Sequence, residues 1–454
     1  MGSSRDDSVR SGSEFEMGWR KYLTEMREFE DEDVRKAIRD NYSILPRLNN
    51  TFSYIDEGWV PLAIIHSIAF IIFVDLYLYL FFVTCYLLKD DFVLVGVQFH
   101  YLLLALFGLV FQFHLYNSRK EVCVLHKIMA QEFFAYENNE ILAEEKTKLK
   151  KHMIKQRLQL IPFMILIGMI GLFIVGVGPL IDNMVGAGHD SDYLNGVYMK
   201  TPIPMYFPFE IVDFTTHYVA TGFQIITVAM LALTISGVVF LNVVTTQYLA
   251  FQISILTHSL EKLMDRSKAR FKQLYPDEKI DRRDLKNDAK FQGCVNFCLK
   301  ENVKHHHVIL KYCSVHFCVT SVLLMAAFMM GTLIMALSMM ILVEKTDRLG
   351  LLMTNTLAMV GEVGNLYTAC FFGEEVLSKS EDLFNTIYDV KWFEMNEENK
   401  KMIMLFQEGT RKPLEVKATL IFTCCMATFS SICNSAYSYF NMLTASSVNK
   451  ESEE

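Results

Sequence analysis

The sequence predicts an all-α, polytopic membrane protein with seven transmembrane helices, a cytoplasmic N-terminus and an extracellular C-terminus. Three observations carry this. Of 454 residues, 52% are hydrophobic, and they gather in long unbroken runs where a soluble domain would disperse them. With only 9 Pro and 22 Gly the chain lacks turns for an all-β protein, and outer-membrane strands would alternate apolar and polar residues. Lys and Arg are concentrated in alternate connections, which sets the orientation. The formal net charge of −8 argues against a nucleic-acid partner, which would meet a basic surface.

A bilayer core about 30 Å thick needs about 20 apolar residues at a rise of about 1.5 Å each. The first window runs from Trp59 to Leu88 and turns at Lys89-Asp90-Asp91 into the second, Phe92 to Tyr116, giving an antiparallel hairpin. The third spans Leu160 to Ile181, the fourth His217 to Val244 and the fifth Cys313 to Val343. After a Glu344–Arg348 turn comes the sixth, Leu349 to Phe372, the least hydrophobic; the seventh covers Leu414 to Ala445. The segments before span one and between spans two and three, four and five, and six and seven hold nine, nine, thirteen and six Lys+Arg, against five on the opposite side. Positive charge stays inside, so the sequons at Asn41 and Asn49 fall on the cytoplasmic side and go unused. No cleavable signal is expected in residues 1–58, and Met1 to Glu16 reads as a disordered, non-native leader with Met17 as an alternative start. An inside N-terminus reverses the topology of G-protein-coupled receptors, and their Asp/Glu-Arg-Tyr and Asn-Pro-x-x-Tyr marks are not found.

Between Gln247 and Lys311, Phe251, Ile255, Leu260 and Leu263 sit at near-helical spacing, which predicts that the fourth and fifth helices extend into the cytoplasm. Leu383, Phe384, Ile387, Trp392 and Phe393 give Glu381–Arg411 a similar amphipathic pattern. These faces predict an intracellular anchor packed within one subunit or against its neighbours. His305-His306-His307 with Glu301 suggests a metal, but successive helical side chains point about 100° apart, so a solvated helix face is expected and no metal site. Cys294 and Cys298 are expected to be packed thiols, and the ten Cys imply no extracellular disulfide framework. Asp75, a charge at membrane depth, is either functional or partnered against neighbouring helices.

The last span is the most informative. On a helical wheel Ser431, Asn434, Ser435, Ser438, Met442, Ala445 and Ser446 share one face, with Asn441 at its edge, while Phe429, Ile432, Phe440 and Leu443 share the other. Such a stripe serves either close helix packing or the lining of water. Its extent over several turns, ending in bulky Met442 beside Ala445 and Ser446, favours water: copies around an axis would place a ring of Met442 as a constriction that gates by dewetting. No charged ring lies on the stripe, so permeation would be weakly selective among cations.

The terminal Asn434-Ser435-Ala436-Tyr437-Ser438-Tyr439-Phe440-Asn441-Met442-Leu443 resembles the closing signature of insect odorant receptors. Cys370-Phe371-Phe372-Gly373-Glu374-Glu375-Val376, followed by Ser378, Ser380, Leu383, Tyr388 and Trp392, resembles that family's passage at the inner end of the sixth span. Pro204-Met205-Tyr206-Phe207-Pro208-Phe209-Glu210 and His217-Tyr218 are similar to its outer loop and fourth span. The resemblance covers residues 17 to 447. It implies one subunit of a tetrameric odorant-gated cation channel in the plasma membrane, with partners comprising a small volatile odorant, membrane lipid, permeating cations, and identical subunits or an odorant coreceptor. Ser438 and Ala445 stand where the coreceptor has Thr and Gln, so the chain looks ligand-tuned. Gustatory receptors are the runner-up.

The resemblance places the odorant between the second, third, fourth and sixth spans, in a dry pocket with few polar handles. Here the outer halves offer Phe99, Tyr101 and Leu102; Gly168, Gly171 and Val175; His217, Tyr218 and Thr221; and Met353, Thr354 and Leu357. No side chain must do chemistry, and no cofactor is implied. A transporter would show matched broken helices and an internal repeat, and an intramembrane enzyme a convergent acid, base or nucleophile set; neither pattern is found. The expected division is a cytoplasmic segment (1–58), spans one to four with the ligand-binding part (59–245), a cytoplasmic helical extension (246–312), spans five and six (313–377), anchor helices (378–413), the pore-lining span (414–447) and an extracellular tail (448–454).

Overall fold

The computed structural model describes residue 41 and residues 60–89, 91–131, 133–137, 140–185, 193–278, 285–343, 349–419 and 421–451. The leader, both sequons beyond Asn41, the Glu344–Arg348 turn and nearly all of segment 1–58 lie outside the described residues. In chain order the helices are α1 (Val60–Leu87), α2 (Phe92–Asn117), α3 (Arg119–Ala130), α4 (Glu140–Val185), α5 (Phe214–Glu261), α6 (Leu263–Leu274), α7 (Ala289–Val343), α8 (Leu349–Asp389), α9 (Glu397–Gly409) and α10 (Met426–Glu451). Two antiparallel two-residue pairings interrupt them: β1 (Tyr193–Leu194) with β2 (Val197–Tyr198), and β3 (Lys417–Ala418) with β4 (Phe422–Thr423).

The seven expected spans correspond to the seven long helices α1, α2, α4, α5, α7, α8 and α10. Among the described residues, stretches in α1, α2, α5 and α7 are long and apolar enough by composition to cross a membrane. The helices alternate in direction. The rim is the end where α1, α4 and α7 finish; the base, where α3, α6 and α9 gather, is the other. Asp91 caps α2 at the rim, its carboxylate accepting from the Leu94 amide at 3.0 Å. Where α4 meets α8, Gly178 and Gly350 bring their backbones into contact, and a Cβ on Gly350 would collide with the Gly178 carbonyl. The Gly350 amide donates to Asp182 at 2.6 Å, so a carboxylate on α4 satisfies one of the open donors at the start of α8.

Three expectations are corrected. The third helix begins at Glu140, twenty residues before its apolar run, because a helix continues wherever its residues favour one, whatever their hydropathy. The last helix begins at Met426 rather than Leu414: residues 414–425 form a hairpin in which Val416, Ala418 and Cys424 are buried against the protein, so their apolar character serves the core and not the bilayer. His305, His306 and Glu301 are buried, and only His307 of that cluster is exposed; the solvated face is instead a packed one. Among the described residues no three His, Cys, Asp or Glu side chains converge as a metal site. Asp75 lies on the outward surface of α1, not against a neighbouring helix.

The fourth and fifth helices do run on, as α5 and α7, into a base whose core is continuous with that of the bundle. Cys294 and Cys298 are packed thiols within it, and all ten cysteines are free. Its polar centre is Arg266, fully buried. One guanidinium nitrogen meets Glu301 at 2.5 Å, another donates to Ser259 and to Asn302, and the plane lies 4.5 Å from the Tyr136 ring centroid. Beside it the Tyr136 hydroxyl bonds His305 Nδ1 at 2.6 Å, and His305 Nε2 bonds Gln252 Oε1 at 3.1 Å. A neutral imidazole satisfies both contacts, accepting from Tyr136 and donating to Gln252. Leu383 and Ile387 complete the same core, whereas Trp392 and Phe393 stay exposed.

Burial holds three base histidines neutral, taking His305 from 6.5 down to about 3 and His306 and His126 down to about 4. Because these folded-state values lie below the unfolded one, stability is complete above pH ~6.5 and falls with further acidification, as the unfolded chain takes up protons that the folded chain refuses. The thermal midpoint of the detergent-purified protein should therefore drop steadily between pH ~7 and ~4.5, and less steeply in His305→Gln; a flat profile would contradict the neutral, buried state.

Candidate functional site

α10 is packed on one side only. Ile432 and Ala436 are buried against the body of the protein, and Phe440 and Leu443 pack on Val97, Met340, Ile341 and Leu351 at the rim ends of α2, α7 and α8. The opposite face, with Ser431, Asn434, Ser435, Ser438, Met442 and Ala445, is exposed among the described residues; Met442 is 61% exposed. Ser446 belongs to α10, but its side chain lies outside the described residues. The serine hydroxyls donate one turn back, Ser431 to Ala427, Ser435 to Ser431 and Ser438 to Asn434, at 3.0, 2.9 and 3.0 Å. Each proton is satisfied inside the helix while the oxygen lone pairs face outward, so the face accepts hydrogen bonds from water without leaving a buried donor unpaired.

The start of α10 is fastened to α8 by the residues that the sequence singled out as a motif. Gly373 lies against the backbone of Cys424, whose carbonyl a Cβ there would strike. Glu374 accepts from the Met426 amide at 3.0 Å, capping the first turn of α10, and the Ser380 hydroxyl accepts from the Leu414 amide at 2.8 Å. The motif is thus a seat for the last helix.

At the rim, the connection between α4 and α5 folds over the bundle. Gln224 clasps Ile203 by both its amide and its carbonyl, at 3.1 and 2.7 Å, Gln98 donates to the Pro204 carbonyl, and the Tyr206 amide donates to Thr84 at 2.9 Å. Met205 and Phe207 join Phe70, Val74, Tyr77, Leu102, Tyr198, Ala220 and Leu231 in one apolar cluster. Within this half the Tyr77 and Thr221 hydroxyls and Gln98 Oε1 are buried with no hydrogen-bond partner among the described residues. Such unpaired groups cost free energy unless a ligand or water meets them.

The expected ligand residues distribute unevenly around this cluster. Leu102 is part of it, Tyr101 packs against it, and the His217 ring approaches Tyr198, Nδ1 to hydroxyl, at 3.3 Å. Tyr101 also packs on the Val97–Met340–Ile341–Leu351 cluster that backs α10, so it touches both. Phe99, Tyr218 and Met353 are exposed on the bundle surface, and Thr354 donates to the Gly350 carbonyl at 2.9 Å; Leu357 is half-buried. Gly168, Gly171 and Val175 lie in α4, their side chains outside the described residues. Sequence reasoning missed Tyr77, because an isolated Tyr in an apolar run gives no signal of which way it faces, and Glu362, a buried carboxyl one turn before Leu366 on α8 whose acidic identity alone was available to mark it.

Gly373→Ala should destabilise the protein by about 1–3 kcal/mol, since the Cys424 backbone must move to admit one methyl group. Glu374→Ala should cost about 1 kcal/mol and Glu374→Gln, which retains an acceptor, less. Thermal unfolding followed by size-exclusion chromatography measures all three, and equal losses for Ala and Gln at Glu374 would deny the cap.

With this geometry in place, comparison with known proteins is direct. Residues 101–437, about three quarters of the chain, match the family described as 7tm Odorant receptor. Odorant receptor 94a of Drosophila melanogaster is 27% identical over 78 residues (17% of this chain, 20% of that protein), Odorant receptor 9a of the same fly 33% over 92 (19% and 23%), and Odorant receptor Or2 of Anopheles gambiae 23% over 146 (32% and 38%). The aligned stretches span well under half the length of these relatives. The solved structure of the olfactory receptor OR5 from Machilis hrabei in complex with eugenol has the same fold, with a TM-score of 0.70 at 12% identity over 91% of this chain and 100% of that one. The family match, joined to seven long helices and the helix seat its motif builds, means that the chain belongs to the seven-transmembrane odorant receptor family.

Proposed function

We propose that the protein is a ligand-tuned subunit of an odorant-gated, nonselective cation channel of the plasma membrane, with its N-terminus in the cytoplasm. Four subunits, identical or shared with a coreceptor, surround a pore lined by α10. The observation that carries this reading is the uncovered polar face of a membrane helix whose other face is tightly packed. In hydrocarbon such a face is unfavourable, and water between subunits removes the cost. Met442 is the bulkiest apolar side chain on it and forms the constriction, with Ser438 on one side and Ala445 and Ser446 on the other. The OR5 complex with eugenol supports a small volatile ligand. Its place is the rim half, bounded by Tyr101, Leu102, Gly168, Gly171, Val175, His217, Thr221 and Leu357, with Phe99, Tyr218, Met353 and Thr354 at the periphery. The unpaired Tyr77 and Thr221 hydroxyls supply polar handles there, and apolar burial at about 25 cal/mol/Å² supplies most of the affinity.

Binding opens the pore only if the open arrangement holds the ligand more tightly. Tyr101 is suited to convey that difference, since it packs both on the rim cluster and on the residues behind Phe440 and Leu443 of α10. No specific observation favours the gustatory or transporter readings.

Two recordings test the proposal in cells expressing the protein alone or with a coreceptor. Met442→Ala should raise conductance or alter relative cation permeability with little change in odorant sensitivity, and several Met442 variants with unaltered currents would remove the pore assignment. Thr221→Val and Tyr101→Ala should shift half-maximal odorant concentrations by roughly fivefold or more while leaving permeability ratios intact, about the worth of one hydrogen bond or a lost ring contact. Changes confined to permeation would place the ligand elsewhere.

A further inference from the structure

At the base, α4 carries its charges in two zones. Glu140, Glu144 and Glu145 occupy its first turns, and Lys146, Lys148, Lys150, Lys151 and Lys155 follow before the apolar run that begins at Leu160. Carboxylates at a helix start are favoured by its dipole and call for no ligand. The lysines have no such explanation. Lys148 is paired with Glu144 and Glu145 at 3.1 and 3.4 Å, but the exposed Lys150, Lys151 and Lys155 have no side-chain partner among the described residues. Lys151 and Lys155 stand one turn apart on one face, which is unfavourable for like charges unless an anion lies between them. Glu375 of α8 faces His152 and Lys379, about 100° round the helix from Lys151, so it does not supply that anion.

Two exposed aliphatic side chains sit among these lysines, Ile154 at 42% and Leu158 at 66%. At about 100° per residue, Lys150, Lys151, Ile154, Lys155 and Leu158 fall within an arc of about 140°, on the far side of the helix from buried Leu142 and Met153. A basic face interleaved with apolar groups and continuous with a membrane span is suited to the bilayer interface. Depth narrows the partner. At about 1.5 Å per residue Lys155 lies about 8 Å, and Lys151 about 14 Å, below the start of the apolar run, whereas the polar layer of one leaflet is roughly 5–8 Å thick. Helical side chains also lean toward the N-terminus, here away from the bilayer. Lys155 is therefore level with the phosphodiester groups, and Lys151 and Lys150 meet only a headgroup that projects beyond them.

We propose that this face of α4 binds a phosphorylated phosphatidylinositol of the adjoining leaflet, with Lys155, Lys151 and Lys150 on its phosphates and Leu158 against the root of its acyl chains. The leaflet is the inner one if the base is cytoplasmic, as in the topology proposed above; the contacts themselves do not depend on that reading.

The test is fluorescence anisotropy of phosphatidylinositol bisphosphate with a dye on one acyl chain, titrated with the full-length protein purified in detergent. Binding should saturate, and phosphatidylcholine should not compete. Lys151→Gln and Lys155→Gln should each weaken it about fivefold, and the triple variant with Lys150→Gln roughly 100-fold, at the usual worth of a lysine near an anionic lipid surface. Arg at the same three positions should retain binding. A control triple, Lys272→Gln, Lys300→Gln and Lys304→Gln, removes the same charge from exposed lysines elsewhere on the base and should leave affinity unchanged. Equal losses in the two triples, which mean diffuse attraction only, overturn the proposal. So does binding of phosphatidylserine as tight as that of the bisphosphate, or of free inositol trisphosphate as tight as that of the lipid, which would make this a soluble-phosphate site. Since the probe is offered in detergent, absent current would end the channel reading and leave the lipid site standing, and failure to bind the lipid would do the reverse.

Discussion

The organising constraint is that the last helix is supported from one side. Membrane helices have no hydrophobic drive to associate with one another, so what holds α10 is shape and local hydrogen bonding: Ile432 and Ala436 against the body, Phe440 and Leu443 in the rim cluster, and the Gly373–Cys424 and Glu374–Met426 contacts at its start. These suffice to fix its rotation. Once rotation is fixed, the Ser-Asn-Met face points away from the chain that bears it.

The base gives that arrangement its footing. α5 and α7 run unbroken from the rim into it, and a fully buried guanidinium at its centre is met by Glu301, Ser259, Asn302 and the Tyr136 ring. A buried charge is costly to desolvate, and removing one partner leaves the other stranded, so such a network is valuable less for net stability than because it tolerates few alternative packings. His305 belongs to the same set of contacts and is kept neutral by burial, which ties the footing to pH. Membership of a receptor family without enzymatic activity accords with this use of polar groups: those described hold helices in register.

Between rim and base the interior is packed mainly by apolar side chains, with polar bonds such as Asn355 to the Ser338 carbonyl and Thr246 to His316 between helices. Tyr101 shares two clusters, one under the rim connection and one behind α10. Packed apolar interiors shift between discrete arrangements more readily than they deform continuously, which is what a small ligand needs in order to bias a helix several turns away.

The number of long helices, their order and the division of the last one into two faces were legible in the sequence, because the thickness of the bilayer and the 3.6-residue turn act on local spacing alone. The motif around Gly373 and Glu374 was visible too, though its task was not. What required the tertiary structure was whatever depends on a neighbour. Residues 414–425 look like membrane helix by hydropathy, yet Val416, Ala418 and Cys424 turn inward from a hairpin; the His305–His306 pair looks like a wet helix face, yet Tyr136, Gln252 and Phe406 cover it. Periodicity states which residues share a face, and only packing decides what that face meets.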